Sequence, residues 1–196
     1  MPFVAKDFGT KLFELDGISK KTCEEHLKLY NGYVNKSNEI MEKLKTVDLS
    51  TANQIFSDVR ALKVDLSFAI AGMQNHEIYF AHLKAGGQMP GGDVKSQIEK
   101  DFGGFDGWVK DLKATGIASR GWAWTVWFPE AGRLLNWAGD TQNTYLGWNL
   151  RPILAMDVYE HAYFMDFGVN RGGYIDTFLK NLDWDVIGAN WETARK

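Results

Sequence analysis

Trp122-Ala-Trp-Thr-Val-Trp-Phe128 decides the fold class, because a run this rich in aromatic and β-branched residues predicts a β-strand. The segment Pro129-Glu-Ala-Gly132 follows as a turn, and residues 133–138 resemble a second strand that pairs with the first. A short apolar run over residues 153–156 predicts a third strand. We therefore expect a small antiparallel sheet of about three strands in the second half of the chain.

The first half has helical character instead. Residues 19–44 contain few helix breakers, and Ser19 is placed to act as an N-cap. Ser50 predicts the start of a second helix that runs to His82, along which apolar residues recur three or four positions apart. These residues are Ile55, Val59, Leu62, Leu66, Ala69, Ile70 and Met73. The two segments together predict a helical hairpin.

A Gly-rich stretch over residues 86–92 separates the halves, because several Gly and one Pro in seven residues predict a loop. Helical patterns follow at residues 106–114, 174–182 and 184–193. Helices with a small antiparallel sheet make the fold α+β. We expect an N-terminal helical hairpin domain at residues 1–85 and a C-terminal α+β domain at residues 92–196.

The composition is that of an ordinary globular protein, with 45% hydrophobic and 24% charged residues, and it indicates neither disorder nor a membrane protein. A net charge of −3 without a basic run argues against nucleic acid as a partner. The single cysteine, Cys23, excludes an internal disulfide and a metal site built from cysteines. Because the N-terminus also lacks the order of residues found in signal peptides, we expect a cytoplasmic protein.

The four histidines are few enough to weigh one by one. Asp157 and His161 are four residues apart, so both side chains could meet one point in a helix or at a strand-to-helix turn. His26, Tyr30 and Tyr33 are spaced to share one face of a helix. Taken alone, each pattern is more typical of core packing than of a metal site.

Their flanking residues change this interpretation, because together they resemble the iron/manganese superoxide dismutases. Asp157-Val-Tyr-Glu-His-Ala-Tyr163 is similar to the signature Asp-Val-Trp-Glu-His-Ala-Tyr, and Asn75-His-Glu-Ile-Tyr-Phe80 to the segment Asn-His-x-x-Phe-Trp. His26 followed by Tyr33-Val-Asn35 resembles the first helix of that family. Further matches lie at Asp101-Phe-Gly-Gly-Phe-Asp106, Gly121-Trp-Ala-Trp124 and Asn170-Arg-Gly-Gly-Tyr174, so the resemblance spans nearly the whole chain.

The resemblance implies one metal ion per subunit, bound between the two domains by His26, His76, Asp157 and His161. Three imidazoles and one carboxylate suit iron or manganese and leave a position open for solvent. The implied reaction is the disproportionation of superoxide to oxygen and hydrogen peroxide. His82 matches no ligand position, so we interpret it as non-ligating.

Further roles follow from the same resemblance. Gln142 corresponds to the glutamine that hydrogen-bonds the solvent on the metal, and Tyr33 to the gateway tyrosine beside it. The aromatic wall of the site and its substrate entrance correspond to Trp122, Trp124, Tyr159 and Arg171. Gln142 stands at the position typical of manganese enzymes, and Gly72 where many iron enzymes carry their glutamine. This pattern favours manganese, and an enzyme that accepts both metals stays open.

The chain departs from the family in its first helix and at the expected subunit contact. His26 and Tyr33 are seven residues apart rather than eight. Leu29 and Phe164 replace a His and a Tyr that meet across an interface, whereas Glu160 is kept and is expected to reach His161 of a second subunit. We therefore expect a homodimer or homotetramer. Two other functions stay open: a dismutase-like structural or interaction protein without turnover, and a zinc hydrolase.

Overall fold

The computed structural model describes residues 1–144 and 147–196. Two long helices open the fold, two shorter helices precede a three-stranded sheet, and three helices close it. In chain order the elements are α1 (Lys20–Lys43), α2 (Asp58–Ala81), α3 (Gly92–Phe102), α4 (Phe105–Ala118), β1 (Trp122–Phe128), β2 (Arg133–Gly139), β3 (Arg151–Asp157), α5 (Phe164–Phe167), α6 (Arg171–Lys180) and α7 (Trp184–Ala194). The α+β class, the N-terminal hairpin and the antiparallel sheet are confirmed.

Helix α1 begins where the sequence predicts it, because the Ser19 hydroxyl accepts a hydrogen bond from the backbone N–H of Thr22 at 3.2 Å. The predicted start of the second helix at Ser50 is wrong. Ser50 lies in a short 3-10 turn, Leu49–Thr51, where its own N–H and hydroxyl both donate to the Asp48 carboxylate. Helix α2 begins eight residues later, and its cap is Ser57, whose hydroxyl accepts from the N–H of Arg60.

Helix α3 was not predicted, because its first residue, Gly92, ends the Gly-rich stretch that reads as a loop. Val94 and Ile98 are four residues apart and buried on one face of α3, which is enough apolar surface to seat a short helix. The helix ends at Phe102, and its C-cap is Gly103, whose φ of 74° is in the left-handed region that glycine adopts without strain.

The sheet has the order β2-β1-β3, and both strand pairs are antiparallel. Trp122 at the start of β1 lies opposite Gly139 in β2 and opposite Asp157 in β3. The register therefore brings the Asp157 carboxylate to the end of the sheet from which the Trp122 indole projects. The three strands are close to the predicted ones, and β3 is longer at both ends.

Helices from both halves of the chain pack on the sheet. Helices α2 and α7 both contact the edge strand β3, and α3 and α4 contact β2. Large, fully buried side chains from both halves form one core: Tyr30, Tyr79, Phe80, Trp108, Trp122, Trp124, Tyr174 and Phe178. Within the described ranges, no helix is both long and apolar enough to cross a membrane.

Candidate metal centre

Four elements each bring one potential ligand to a common point. His26 comes from α1 and His76 from α2, while Asp157 ends β3 and His161 lies in the 3-10 turn Glu160–Ala162 that follows. His26, His76 and Asp157 are buried, whereas the His161 side chain is about one-third exposed. The hairpin and the α+β half thus contribute two side chains each.

The three imidazoles all direct Nε2 at the same carboxylate oxygen. The distance from Oδ2 of Asp157 to Nε2 is 3.1 Å for His26, 3.1 Å for His161 and 3.5 Å for His76. All four potential ligand atoms lie within 4.8 Å of one another. Bonds of roughly 2 Å to one ion would separate neighbouring donors by about 3 to 4 Å, so this spacing fits a single metal.

His76 gives the clearest sign of a missing partner. Its Nδ1–H donates to the backbone carbonyl of Gly72 at 2.6 Å, so Nε2 carries the lone pair. That Nε2 is buried and has no hydrogen-bond partner in the part of the chain that the structure describes. A buried acceptor left in this way costs free energy, and a metal ion would remove the cost.

The protonation states suit metal binding. Burial and the neighbouring His26 lower the pKa of His76 to about 3, so its imidazole is neutral at pH 7. Burial alone would raise the pKa of Asp157, but the charges and hydrogen bonds of His161 and His26 outweigh it and hold that pKa well below its usual range. The second oxygen of Asp157 accepts the N–H of Tyr159 at 2.9 Å, which fixes the carboxylate.

Gln142 and Tyr33 lie in a hydrogen-bonded chain beside these ligands. The Trp122 indole N–H donates to Oε1 of Gln142 at 3.0 Å, and Nε2 of Gln142 donates to the Tyr33 hydroxyl at 3.2 Å. Gln142 is fully buried although it follows the end of β2 in an irregular segment. The indole thus determines which end of the Gln142 amide faces Tyr33.

Two residues that secure this chain were not predicted as site residues. Asn75 donates its side-chain N–H to the backbone carbonyl of Gln142 at 3.0 Å and so ties that segment to α2. Gly72 allows the close approach of α1, because a Cβ there would lie 2.8 Å from the Tyr33 ring. Asn75 directly precedes His76 in the motif, and this position beside a potential ligand is the sequence feature that could have marked it as a site residue.

Aromatic rings surround the ligands. Trp122 and Trp124 are stacked with ring centroids 6.1 Å apart, and Trp122 meets His76 edge-on at 5.2 Å. Tyr159 stacks on His161 at 5.3 Å, and Tyr33 lies 5.3 Å from the His76 ring. Tyr33 also lines a groove of about 600 Å³ between α1 and α2.

The remaining predicted residues are Arg171, Glu160, Phe164 and Leu29. Arg171 donates to the Tyr163 hydroxyl at 3.1 Å and to the Ser119 carbonyl at 2.7 Å, and its guanidinium is 3.8 Å from the Glu160 carboxylate. Glu160 is exposed and makes no hydrogen bond to His161 of its own chain within the described ranges. Phe164 is exposed and Leu29 is half-buried.

The comparisons with known proteins agree with this arrangement. Two family models match in order: the alpha-hairpin domain of iron/manganese superoxide dismutases over residues 15–84, and their C-terminal domain over residues 90–190. A protein named superoxide dismutase [Fe] from Aquifex aeolicus is 43% identical over 93% of this chain and 88% of its own length.

Relatives are named for either metal. A superoxide dismutase [Fe] from Cupriavidus metallidurans is 36% identical over 99% of this chain and 98% of its own length. A superoxide dismutase [Mn] 2 from Haloferax volcanii is 30% identical over 93% of both chains. With matches to both domains and to these full-length relatives, the chain belongs to the iron/manganese superoxide dismutase family.

Proposed function

We propose that His26, His76, Asp157 and His161 hold one iron or manganese ion and that the protein is a superoxide dismutase. The observation that carries this proposal is the convergence of three Nε2 atoms on Oδ2 of Asp157, one of them the buried, unpartnered Nε2 of His76. When bound, the ion supplies a M(III)/M(II) couple that takes an electron from one superoxide and gives an electron to a second. The protein's task is then to hold the ion, admit an anion and deliver protons.

Gln142 and Tyr33 are the proposed proton-handling residues. Gln142 has two N–H groups and gives one to Tyr33, so the second is available to a group bound at the site. Burial and the nearby Asp157 raise the pKa of Tyr33, which keeps its phenol protonated at neutral pH. Formation of peroxide from superoxide consumes protons, and this chain of donors supports their delivery from the groove that Tyr33 lines.

The other cavity residues shape the site. Trp122, Trp124 and Tyr159 exclude water around the ligands, which strengthens the electrostatic interactions inside. Arg171 is proposed to favour the approach of the superoxide anion. Its guanidinium is held by Tyr163 and Ser119 beside the turn that carries His161, so its positive charge is fixed in place.

For the metal, the chain's own residues favour manganese. Gln142 occupies the position beside the ligands, and Gly72 has no room for a side chain while Tyr33 stays where it is. The relatives carry both names, so an enzyme active with either metal is the second candidate. Elemental analysis of protein from its native source, with activity measured after loading each metal, distinguishes the two.

We further propose a homodimer, or a tetramer built from it, whose interface lies at Glu160, Leu29 and Phe164. Phe164 and Met165 come soon after the turn that carries His161, and they are 53% and 50% exposed, so two neighbouring apolar side chains are open to a partner there. Nδ1 of His161 has no hydrogen-bond partner among the residues that the structure describes. If His161 binds a metal through Nε2, its Nδ1–H needs an acceptor. Glu160 of a second subunit would supply it.

A cytoplasmic location is proposed from composition. The single cysteine is buried and unpaired, and burial together with Asp166 raises its pKa to about 11, so the thiol is unreactive. The chain therefore shows no use of disulfide chemistry. Cell fractionation followed by detection of the protein in the cytosolic fraction tests this proposal.

The central experiment loads the purified protein separately with Mn(II), Fe(II) and Zn(II) and measures metal content and superoxide consumption. We expect one ion per subunit and rapid dismutation with manganese, iron or both, and none with zinc. His76→Gln should lose the ion and the activity, whereas His82→Gln, the matched change at the buried histidine that caps the C-terminal end of α2, should keep both. A protein that binds metal but leaves superoxide unconsumed would instead support a dismutase-like protein without turnover.

A further inference from the structure

His82 is a fully buried histidine outside the metal centre. It caps the C-terminal end of α2, and its ring packs edge-on against Phe178 at 5.8 Å. Its Nε2 lies 3.1 Å from the backbone nitrogen and 3.0 Å from the carbonyl oxygen of Ala155. In either neutral tautomer, one of these two backbone groups gains a partner, because Nε2 either accepts the N–H or donates to the carbonyl.

This contact is placed at an open edge of the sheet. β3 is an edge strand, so alternate residues present backbone groups that β1 does not bind. Two residues of β3 have such groups hydrogen-bonded by side chains from different helices. His82, at the end of α2, bonds the backbone of Ala155, and Asn190 of α7 donates to the Ile153 carbonyl at 3.0 Å. His82 therefore bonds helix α2 directly to strand β3.

The backbone of His82 is fixed as well. Its carbonyl oxygen accepts the N–H of Asp183 at 2.8 Å, and two residues later Lys84 donates to the Asn181 carbonyl at 2.8 Å. The end of α2 is thus attached both to the sheet and to the segment between α6 and α7. His82 is the residue at which these two attachments meet.

The two elements that His82 joins each carry a proposed metal ligand. His76 lies six residues earlier on α2, about 9 Å along the helix axis. Asp157 lies two residues after Ala155 on β3, about 7 Å along the strand. A slip of α2 along β3 would change the spacing between His76 and Asp157, which come from opposite halves of the chain.

We propose that His82 is a positioning residue that sets the spacing of His76 and Asp157 by pinning the end of α2 to the Ala155 backbone. The proposal rests on the metal site described under the proposed function. Because burial lowers the pKa of His82 to about 4, the imidazole is neutral and keeps this contact throughout the neutral pH range. Its effect should appear in how tightly the protein holds metal.

The test measures the rate at which Mn(II)-loaded protein releases its metal into excess chelator, together with the electron paramagnetic resonance spectrum of the bound Mn(II). His82→Leu removes the bond to Ala155 and should speed release about 10-fold, the lower end of the effect of losing a group bonded directly to a ligand, because His82 acts through the backbone. His82→Gln places a side-chain amide about where Nε2 of His82 lies, so its rate of Mn(II) release should stay within about threefold of the wild-type rate. The spectrum should change only in His82→Leu.

Asn190→Ala is the matched control, because Asn190 covers the same strand edge from a helix that carries no ligand. It should lower the melting temperature without speeding release. If His82→Leu does not fold, His82→Asn takes its place, since its shorter amide stops short of Ala155. The proposal is overturned if these His82 variants release metal within threefold of the wild type, or no faster than Asn190→Ala. A wild-type protein that takes up no Mn(II) contradicts the proposed function instead.

Discussion

At Asp157, burial and charge act on one carboxylate in opposite directions. Burial favours the protonated form, yet the surrounding imidazoles and the Tyr159 N–H favour the ionised one, and they prevail. The cost of a buried carboxylate is therefore offset only while its neighbours remain in place. A bound metal ion would add the strongest such neighbour of all.

The hydrogen bond between Gln142 and Tyr33 yields the first prediction. Gln142→Ala removes the donor and should lower dismutation roughly tenfold or more, since a positioned proton donor contributes at least that much. Tyr33→Phe should lower it too. Because the two residues act in one chain, the double variant should lose less than the product of the single losses. Stopped-flow measurement of superoxide decay gives all three rates.

Tyr30→Phe is the control for this series. It removes a phenol from the same helix, whose hydroxyl donates to Glu77 at 3.2 Å and accepts the Lys6 N–H at 2.9 Å, away from Gln142. Its activity should match the wild type. Unchanged activity and reduction potential in Gln142→Ala would remove Gln142 from the mechanism.

The side chains of the candidate site could be predicted from motifs, but their supporting contacts could not. The place of Asn75 beside His76 marks it as a candidate, but neither its contact with the Gln142 backbone nor the bond from His82 to Ala155 can be deduced from the sequence. Both depend on which backbone groups the sheet leaves open, and that follows from tertiary packing rather than from spacing along the chain. Gly72 is similar, because only the position of the Tyr33 ring shows why a side chain is excluded.

At the scale of elements, the start of α2 yields the second prediction. Ser57→Ala removes the cap of α2 and should lower the free energy of unfolding by about 1 kcal/mol. Ser50→Ala should cost less than about 0.5 kcal/mol, because Ser50 is exposed and the Asp48 side chain still caps that turn. Thermal unfolding of the metal-loaded variants measures the difference. Equal effects of the two substitutions would contradict the assignment of Ser57 as the cap of α2.

The burial of His82 yields the third prediction. Its pKa is lowered from 6.5 to about 4, so the unfolded chain binds a proton more readily between these values. Its contribution to stability is complete above pH 6.5 and is lost as the pH falls, by roughly 3 kcal/mol at pH 4 and below. His82→Gln cannot titrate, so its stability should fall less steeply over this range. Denaturant unfolding at several pH values compares the two metal-loaded proteins, and parallel curves would contradict the prediction.

Secondary structure was predicted best where a strong pattern met no competing signal. Strand β1 agrees at both ends, because its aromatic and β-branched residues have no breaker among them. Helix α3 was missed and the start of α2 misplaced, since both lie next to residues that also suit loops or turns. Burial decides between helix and loop at both places: Val94 and Ile98 are buried in α3, and Val59 is buried at the start of α2.

At the scale of the whole molecule, the two halves of the chain meet at the proposed metal centre. The hairpin supplies His26 and His76, and the α+β half supplies Asp157 and His161. The division into two domains near residues 85–92 stays a prediction, and separate expression of the two halves could test it. The two halves also share one hydrophobic core and the backbone bridge between Leu83 and Leu182. We expect neither half to bind metal alone, because each has only two of the four ligands.

Dimerisation and metal affinity should be coupled, and this is the fourth prediction. A ligating His161 needs an acceptor for its second N–H, and Glu160 of its own chain does not provide one, because adjacent side chains diverge. A symmetry-related Glu160 would complete the site, since a twofold interface presents the same patch twice. Glu160→Ala should therefore raise the dimer dissociation constant and also speed the release of Mn(II).

Sedimentation and metal release measured on the same samples test this coupling. Glu192→Ala is the control, because Glu192 is also an exposed acid paired with an arginine, Arg195, but lies on α7. It should change neither quantity. Leu29→His should weaken mainly the interface, because it places an unpaired polar ring against Phe164. A wild-type protein that is monomeric, fully metallated and active at low concentration would show that His161 needs no partner subunit, and the interface proposed here would then be wrong.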